Sequence, residues 1–489
     1  MQSALTPLLL VGAGVLAALI AALGMAGTVH VTTRRQQGFM HFIFYTMLFA
    51  VAAGALLSGR DLTSHFQIEN FALPSVSHPA LSFLQPLCSL LILAVSGERL
   101  ITHWLQRKTS PPHIFLALAF FIFWTTSVAS PALLGAHPKL SHDYAYPLVI
   151  GLAATLATQN ECDLALKAVR NSVFIFILVS FLMVPVNPSL VLDLAYTQGL
   201  LPGLPRFAGL FPHAVGMGLM AQLGLLCLMT RPYQRLWLNR LAWTVGLTTL
   251  FVAQSKTAWM AFFICNGALL AVQRGPNLWR RLLDPMRPTL GITTLVGCML
   301  GVIALALVLM FGDLGERIST FIHTPEGAQL ASFTGRDRIW AIAFDEWRNN
   351  PAFGYGPGIW DERFRASIGM PNANHGHNQF MDTLSRSGAA GATGLVLYAV
   401  VLCVMSLRLT RATQGLSLAL FLALILRAVS EVPLLMLGYS TEMFIHVLLL
   451  MVLASAVQQT HTAKQRSTQA APLRPWPAEG TWAKARSMP

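Results

Sequence analysis

Apolar and polar residues alternate along this chain in long blocks rather than at the short period of an amphipathic element. Apolar runs of roughly 17 to 23 residues recur, long enough to cross a hydrocarbon core about 30 Å thick. The candidate spans are 5–29, 39–57, 79–96, 113–134, 144–158, 171–187, 209–230, 239–254, 257–272, 289–311, 388–407, 416–434 and 439–457. This pattern predicts an all-α integral membrane protein, a polytopic bundle of about 12 to 13 transmembrane helices.

The composition agrees with the spans and excludes a soluble protein. Of the 489 residues, 54% are hydrophobic and 11% are charged, whereas soluble domains are about 25% charged. The six cysteines fall mostly inside spans, which argues against a disulfide framework and a thiolate metal site. We find no internal repeat of the kind that many transporters carry.

The distribution of positive charge predicts the orientation. When the connections are assigned to alternate sides, sixteen basic residues fall on one side and four fall in the short loops of the other. The four are Arg60, Lys139, Arg206 and Lys256. By the positive-inside rule the first side is cytoplasmic. The formal charge of +13 therefore faces anionic lipid, and nucleic acid is not an expected partner.

Four regions follow from these spans. We expect transmembrane helices 1–10 in residues 1–311, a large external loop in 312–387, transmembrane helices 11–13 in 388–458, and a disordered cytoplasmic tail in 459–489. The first run lacks a basic leader and a clear cleavage site, so we expect a retained span rather than a signal peptide.

The external loop is where polar chemistry collects. Loops longer than about 15 residues usually carry function or disorder, and this one is rich in tryptophan and phenylalanine. Thr334 and Asp337 have capping-box spacing, and apolar residues then recur at helical spacing up to Trp347. We therefore predict an amphipathic helix on the bilayer surface that ends at Asn349-Asn350-Pro351, followed by a tight turn over 354–358.

Several cations share the outer face with this loop. They are Arg206, Lys256, Arg336 and Arg338. A single arginine at a membrane interface is usually a snorkelling anchor, and one lysine at a hairpin tip needs no function. Several cations together indicate an anion site, for which a phosphate group is the obvious ligand.

The densest polar stretch is NHGHNQF, residues 374 to 380. His375 and His377 have the spacing of a metal pair, with Asp361, Glu362 and Asp382 as candidate carboxylate ligands, although zinc prefers three or four ligands and no cysteine is near. A second interpretation is a general base with an asparagine beside it, since histidine titrates near 6.5. A third is a polar loop that simply contacts water. The residues alone leave these alternatives open.

Three segments resemble the O-antigen ligase and polymerase superfamily, whose members include Wzy-type polysaccharide polymerases and WaaL-type ligases. They are PRFAGLFPHAVGMG, QSKTAW, and FTGRDRIWAIAFDEWRNNPAFGYGPGIW with the following HGHNQFMDTLSRSGAAGATG. The segments lie in the family's usual order over about 206 to 400, and the details TGR-D-IW and GYG-G-W are closer to exopolysaccharide polymerases than to ligases. The chain departs from the family by Ser387-Gly388 after Arg386 where glutamate is common, by His213 in place of asparagine, and by the extra His375.

The resemblance implies glycosyl transfer outside the bacterial inner membrane, without a cofactor or metal. The donor would be an oligosaccharide on undecaprenyl pyrophosphate, the acceptor another glycan, and chain-length regulator proteins are candidate partners. His377 would be the catalytic base, and the substrate-binding residues would be Arg206, Arg336, Arg338, Lys256, His375 and Asn378.

Polymerase and ligase differ in the acceptor, which is a lipid-linked repeat unit or lipid A-core, and the sequence leaves both open. We expect a polymerase first. The alternative class is a transporter or flippase of lipid-linked sugars, for which Arg427 and Glu431 in one span are the main evidence. We interpret these two residues as an (i, i+4) ion pair that supports the bundle.

Overall fold

The computed structural model describes residues 23–34, 38–62, 78–106, 111–194, 204–286, 288–311, 320, 336–371 and 373–469. Within them the chain is almost entirely helical. The helices are α1 (Phe42–Leu57), α2 (Pro79–Gln106), α3 (Pro111–Trp124), α4 (Ser130–Leu134), α5 (Ala145–Ala154), α6 (Gln159–Met183), α7 (Pro188–Val191), α8 (Ala214–Thr230), α9 (Leu236–Val252), α10 (Lys256–Leu282), α11 (Thr289–Phe311), α12 (Arg336–Asn349), α13 (Glu362–Ser367), α14 (Gln379–Arg408), α15 (Leu416–Ser430) and α16 (Met443–Gln469). A π-helical turn, Thr125–Ala129, joins α3 to α4, and β1 (Leu192–Asp193) pairs antiparallel with β2 (Arg206–Phe207).

The predicted membrane fold is confirmed. Among the described residues, five helical stretches are long and apolar enough to cross a membrane: Pro79–Gln106, Ile114–Leu134, Gln159–Met183, Gln379–Arg408 and Met443–His461. Shorter apolar helices occupy α1, α8, α15 and part of α11. The protein is an all-α polytopic membrane protein.

The helix boundaries differ from the predicted spans in a few places. Helix α5 has 10 residues, or about 15 Å at 1.5 Å per residue, which is half of a hydrocarbon core. Helix α16 continues to Gln469, past the predicted start of the tail at residue 459. Most of the predicted first span, the proposed Thr334 cap and the rest of the tail lie outside the described residues.

Two helices form the centre of the bundle. Helix α8 buries most of its 17 residues, and the apolar part of α16, Met443–His461, is mostly buried as well. Both helices are apolar around their whole circumference, as expected for helices that other helices surround. Helix α6 packs against both of them and begins with a capping box formed by Thr158 and Glu161.

Helix α14 is broken at Gly388, and this break positions the described part of the loop that the sequence predicts to be external, residues 336–371 and 373–378, which we call the external segment. Gly388 has φ 60° and ψ −159°, a conformation that only glycine adopts readily. A Cβ at this position would lie 2.5 Å from backbone atoms of Ala352 and Phe353. The glycine therefore allows the backbone of residues 351–356 to enter the helix at its break.

The inserted segment satisfies the backbone groups that the break releases. The carbonyls of Ser385 and Arg386 accept hydrogen bonds from the N–H groups of Tyr355 (2.8 Å) and Gly356 (3.0 Å). The N–H groups of Ala389 and Ala390, which would bond those carbonyls in an unbroken helix, donate to Pro351 (2.8 Å) and Ala352 (3.1 Å). These four backbone groups of the break are thus hydrogen-bonded, which matters in a segment next to lipid.

The external segment has a small hydrophobic core of its own. Its buried members are Ile339, Ala343, Ile359, Trp360, Phe364 and Ala373. The predicted amphipathic helix is present as α12 and ends at Asn349. Ile339 and Ala343 on this helix are buried in protein, while Phe344 is 37% exposed, so its predicted place on the bilayer surface stays a prediction.

Candidate active site

The ends of four helices meet on one side of the bundle. Helix α8 begins after His213, α10 after Ser255 and α14 after Asn378, while α15 ends before Glu431. Helix α10 packs against both α8 and α15, and α15 packs against α14. Three helix N-termini on one side supply partial positive charge there.

The histidine stretch lies against the end of α15. His375 Nε2 is 3.3 Å from Glu431 Oε2, and His377 Nδ1 is 3.9 Å from the same oxygen. The two imidazole rings are 4.3 Å apart between centroids. The three side chains are partly exposed, at 25% for His375, 28% for His377 and 17% for Glu431, so a substrate can reach them.

The backbone at His377 is strained. Its φ is 47°, which is uncommon for a residue with a Cβ. The backbone N–H of His377 donates to His375 Nδ1 at 3.1 Å. The neutral form of His375 therefore carries its proton on Nε2, which donates to Glu431. Strain of this kind clusters at functional sites.

A buried ion pair holds the loop that carries the two histidines, residues 373–378, which we call the histidine loop. Asp382 and Arg386, 1% and 5% exposed, are joined by two contacts of 3.2 Å. Asp382 Oδ1 also accepts the N–H of Gly376 at 2.9 Å, between the two histidines. Arg386 donates to the carbonyls of Pro357 (2.6 Å) and Ile359 (3.3 Å). One pair therefore connects α14, the histidine loop and the turn after residue 356.

Two amides fix the end of α15 relative to the histidines. Asn378 caps α14, accepting the N–H of Met381 at 3.1 Å, and its Nδ2 donates to the carbonyl of Val429 at 3.2 Å. Gln379 Oε1 accepts the N–H of Leu434 at 2.8 Å. These bonds lie on either side of Glu431 in the chain. Contact of Asn378 with substrate stays a prediction beside these structural hydrogen bonds.

The environment keeps both histidines neutral. Burial lowers the pKa of His377 to about 3, and the nearby titratable groups of His375, Arg336 and His213 act in the same direction. Burial also lowers the pKa of His375, and the carboxylates of Asp382 and Glu442 oppose this shift. A neutral imidazole can accept a proton, which a charged one cannot.

The structure separates the two arginines of α12. Arg336 lies close enough to lower the pKa of both histidines. Arg338 is exposed and its Nη2 makes a long 3.5 Å contact with the carbonyl of Ile368. Only Arg336 is thus brought to the histidines.

Arg206 and Lys256 lie near each other on the same side. Arg206 Nε donates to the carbonyl of Ala253 at 3.3 Å, three residues before Lys256. Gln254 ties the same two segments together, because its Nε2 donates to the carbonyl of Leu204 at 3.0 Å. Lys256 is exposed at the first turn of α10.

The predicted ion pair between Arg427 and Glu431 is wrong. Arg427 pairs with Glu442, and Glu431 pairs with the histidines. Helix α15 ends at Ser430, and Glu431 has φ −141° and ψ −176°. Its side chain is therefore no longer one helical turn above Arg427, as the (i, i+4) rule requires.

Two of the three carboxylates considered for a metal, Asp361 and Asp382, have other partners. Asp361 caps α13 through the N–H of Phe364 and lies 3.7 Å from Lys139, and Asp382 pairs with Arg386. Within the described residues, ligand atoms of His375, His377 and Glu431 lie within 4.8 Å of one another. A metal on His375 Nε2 would require the proton of the neutral ring to sit on Nδ1. Nδ1 instead accepts the N–H of His377, so it carries no proton. The donor set fits a hydrogen-bonded pair better than a metal.

Glu431 is the site residue that the sequence reasoning misassigned. An ionisable residue within an apolar span is a candidate functional residue in its own right, so its signal was present. The (i, i+4) spacing to Arg427 predicted an ion pair with that residue instead of a contact with the histidines. Asp382 was considered only as a metal ligand and Arg386 only as a departure from the family. Their (i, i+4) spacing on one helix is nevertheless a local signal for an ion pair.

Part of the site lies in a segment that matches a known family. Residues 241–396 match the family model described as O-antigen ligase. This segment belongs to the O-antigen ligase and polymerase superfamily. The matched segment contains Arg336, His375, His377 and the Asp382–Arg386 pair, while Arg206 and Glu431 lie outside it. No curated protein matches the chain.

Proposed function

We propose that this protein is a glycosyltransferase that polymerises lipid-linked oligosaccharide repeat units at the membrane surface. The donor is an oligosaccharide on undecaprenyl pyrophosphate, and the acceptor is the hydroxyl of a second such glycan. The main observation behind the proposal is that His377, Glu431 and Arg336 lie close together at one end of a bundle of membrane helices. His377 and Arg336 also lie inside the segment that matches the family.

The chemistry divides between a base and cations. The acceptor oxygen forms a bond to the anomeric carbon of the donor sugar, and the bond from that carbon to the phosphate oxygen breaks. His377 Nε2 accepts the acceptor's proton, and the lipid diphosphate leaves as an anion. Arg336, Arg206 and Lys256 supply fixed positive charge for this leaving group. No step in this scheme requires a metal.

Glu431 and His375 support the base. A carboxylate near His377 Nδ1 stabilises the imidazolium that forms when Nε2 takes the proton, and it favours the tautomer with Nε2 free. The Nε2–H of His375 holds Glu431 in that position. Binding of the anionic donor beside Arg336 raises the pKa of His377 from its low value in the free protein.

The site belongs on the periplasmic face of the inner membrane under this proposal. Arg231, Arg235, Arg408 and Arg411 lie at the opposite ends of the helices that form the site, where the positive-inside rule places the cytoplasm. The donor, the acceptor glycan and chain-length regulators would then meet the protein on the outer side.

A ligase is the second candidate. The matched family model carries the description O-antigen ligase, and the same base and cations would serve transfer to lipid A-core. Transport of lipid-linked sugars has lost its main support, because Glu431 is bound to the histidines rather than to Arg427.

The test is an assay with the purified full-length protein in lipid nanodiscs. Lengthened sugar on the same lipid identifies a polymerase, and transfer to lipid A-core identifies a ligase. Unchanged donor, in a preparation that binds the donor, would refute both.

Substitution of the histidines assigns the base. We expect His377→Ala to lower the rate by at least about 10²-fold, since a positioned base contributes about 10² to 10⁴-fold. His375→Ala should cost much less, because His375 acts through Glu431. Reversed losses would move the base to His375. Loss of activity with a chelator and recovery with zinc would replace both assignments by a metal site.

A further inference from the structure

A groove on the other side of the bundle is not used by the proposed reaction. It has a volume of about 300 Å³ and lies between α1, α6 and α9. Phe174, Leu178, Leu241 and Val245 are among the apolar side chains that line it. The groove is at the lower end of the size range of small-molecule sites, which is about 300 to 1,000 Å³.

The groove has a polar rim at one end. Tyr45, Asn171 and Tyr233 are its polar lining residues, and tyrosine is enriched where hydrocarbon meets water. Below this rim the lining of α6 and α9 is apolar. The groove therefore runs from the membrane interface into the hydrocarbon layer.

A buried arginine supports the rim. Arg170 is 7% exposed, and its guanidinium carbon lies 3.7 Å from the centre of the Tyr233 ring. Arg170 also donates to Asn171 Oδ1 from Nε (3.0 Å) and Nη2 (2.9 Å). Arg170 therefore fixes the side chains of two rim residues, Asn171 and Tyr233.

The charge around the rim is strongly positive. Residues 162–171 and 231–242 contain five basic residues and one acidic residue, Asp163. Asp163 pairs with Lys167 and Arg231. Arg235 and Arg240 are exposed next to the groove-lining part of α9, and no ion pair found among the described residues includes them. The rim can therefore take an anionic group.

The groove lies far from the candidate active site. Its rim is at the start of α9, whereas Arg206 contacts Ala253 just after the end of α9. Helix α9 has 17 residues, so the two ends are about 25 Å apart at 1.5 Å per residue. A ligand of this groove would occupy the leaflet opposite to the active site.

We propose that this groove binds one acyl chain of an anionic phospholipid, with the headgroup phosphate at Arg235 and Arg240. An apolar slot between membrane helices, a tyrosine rim and surplus arginines at headgroup depth match the recognition of anionic lipid by basic pockets. A zwitterionic phospholipid would fill the slot and also carries a phosphate, but its cationic headgroup amine offsets that charge and is repelled by the two arginines, so it should bind more weakly than a lipid with net negative charge.

The test uses the full-length protein in nanodiscs and a phosphatidylglycerol with a photoreactive group in its acyl chain. We expect crosslinked peptides from 171–178 and 238–245, and competition by unlabelled phosphatidylglycerol but not by phosphatidylcholine. Arg235→Gln and Arg240→Gln should each weaken apparent binding about fivefold. The matched control is Arg408→Gln with Arg411→Gln, which removes two exposed arginines from the same side of the bundle.

A second variant blocks the groove without changing charge. Ala242→Phe should abolish crosslinking within the groove while the arginines remain. Should this variant fail to fold, the two glutamine variants, which change exposed side chains, decide alone. Equal competition by both lipids, or equal losses in the Arg408 and Arg411 control, would overturn the proposal.

Discussion

The clamp between Asp382 and Arg386 offers the sharpest test of how the site is held. Asp382→Ala removes a carboxylate that accepts two donors of Arg386 and the N–H of Gly376. Arg386 stays 5% exposed, with the carbonyls of Pro357 and Ile359 as its remaining partners. Breaking a buried ion pair from one side costs about 3 to 5 kcal/mol.

A double-mutant cycle isolates this interaction. We expect Asp382→Ala and Arg386→Leu each to lower the free energy of unfolding by about 3 to 5 kcal/mol. The double variant should lose clearly less than the sum, because no buried charge is left without its partner. Its activity should stay low, since Gly376 still lacks its acceptor and the histidine loop is no longer fixed.

The measurement is unfolding by titration with denaturing detergent, combined with activity at equal amounts of folded protein. Asp345→Ala is the control, since Asp345 is an exposed acidic residue of α12 in the same external segment. Losses below about 1 kcal/mol in both single variants, the size typical of a surface pair, would refute the buried clamp. Additive losses would show that the two residues act independently.

Three further predictions follow from the site and the break in α14. Arg336→Gln should lower turnover far more than Arg338→Gln in the same assay, and equal effects would contradict the assignment of Arg336 to the diphosphate. The pKa of His377 is about 3 in the folded protein and about 6.5 in an unfolded chain. Between these two pH values the unfolded chain binds a proton on His377 that the folded protein does not bind. The free energy of unfolding is therefore highest above pH 6.5 and is lower by about 2 kcal/mol at pH 5. Detergent unfolding at both pH values should show this slope, and His377→Gln should reduce it by the contribution of His377, leaving that of His375, whose pKa is also lowered. Gly388→Ala should destabilise the external segment by at least about 1 to 3 kcal/mol through its positive φ, seen as faster proteolysis after residue 349, whereas Gly369→Ala, with a positive φ but open space around it, should have a smaller effect.

The sequence predicted the parts of the fold that depend on composition and periodicity. Apolar runs identified the membrane helices, and the spacing of Trp340 to Trp347 identified α12. The location of α12 could not be predicted in this way, because the same amphipathic face can bury itself in lipid or in protein. The covering residues Ile359, Trp360 and Phe364 lie on the far side of a turn whose path depends on Gly354 and Gly356.

The candidate site was predictable only where its residues stand in recognisable local motifs. His375, His377 and Arg336 were identified from local motifs, and the structure brings them together. Glu431 is more than fifty residues away and joins them because α15 ends one residue before it. Helical spacing to Arg427 was the wrong rule for a residue in extended conformation. The helix end did have a local signal, because Pro433 follows Glu431 by two residues and a helix rarely continues up to a proline.

The break in α14 explains why so apolar a chain carries so dense a polar segment. A helix broken near lipid exposes carbonyl and N–H groups that must find protein partners, and residues 351–356 supply them. That insertion places the turn carrying Pro357 and Ile359 beside Arg386, whose charge then requires Asp382. Asp382 in turn fixes Gly376 between the two histidines. Each polar group in this series thus supplies the hydrogen bond or the opposite charge that the previous group requires. The series ends at His377, the residue that would act as the base.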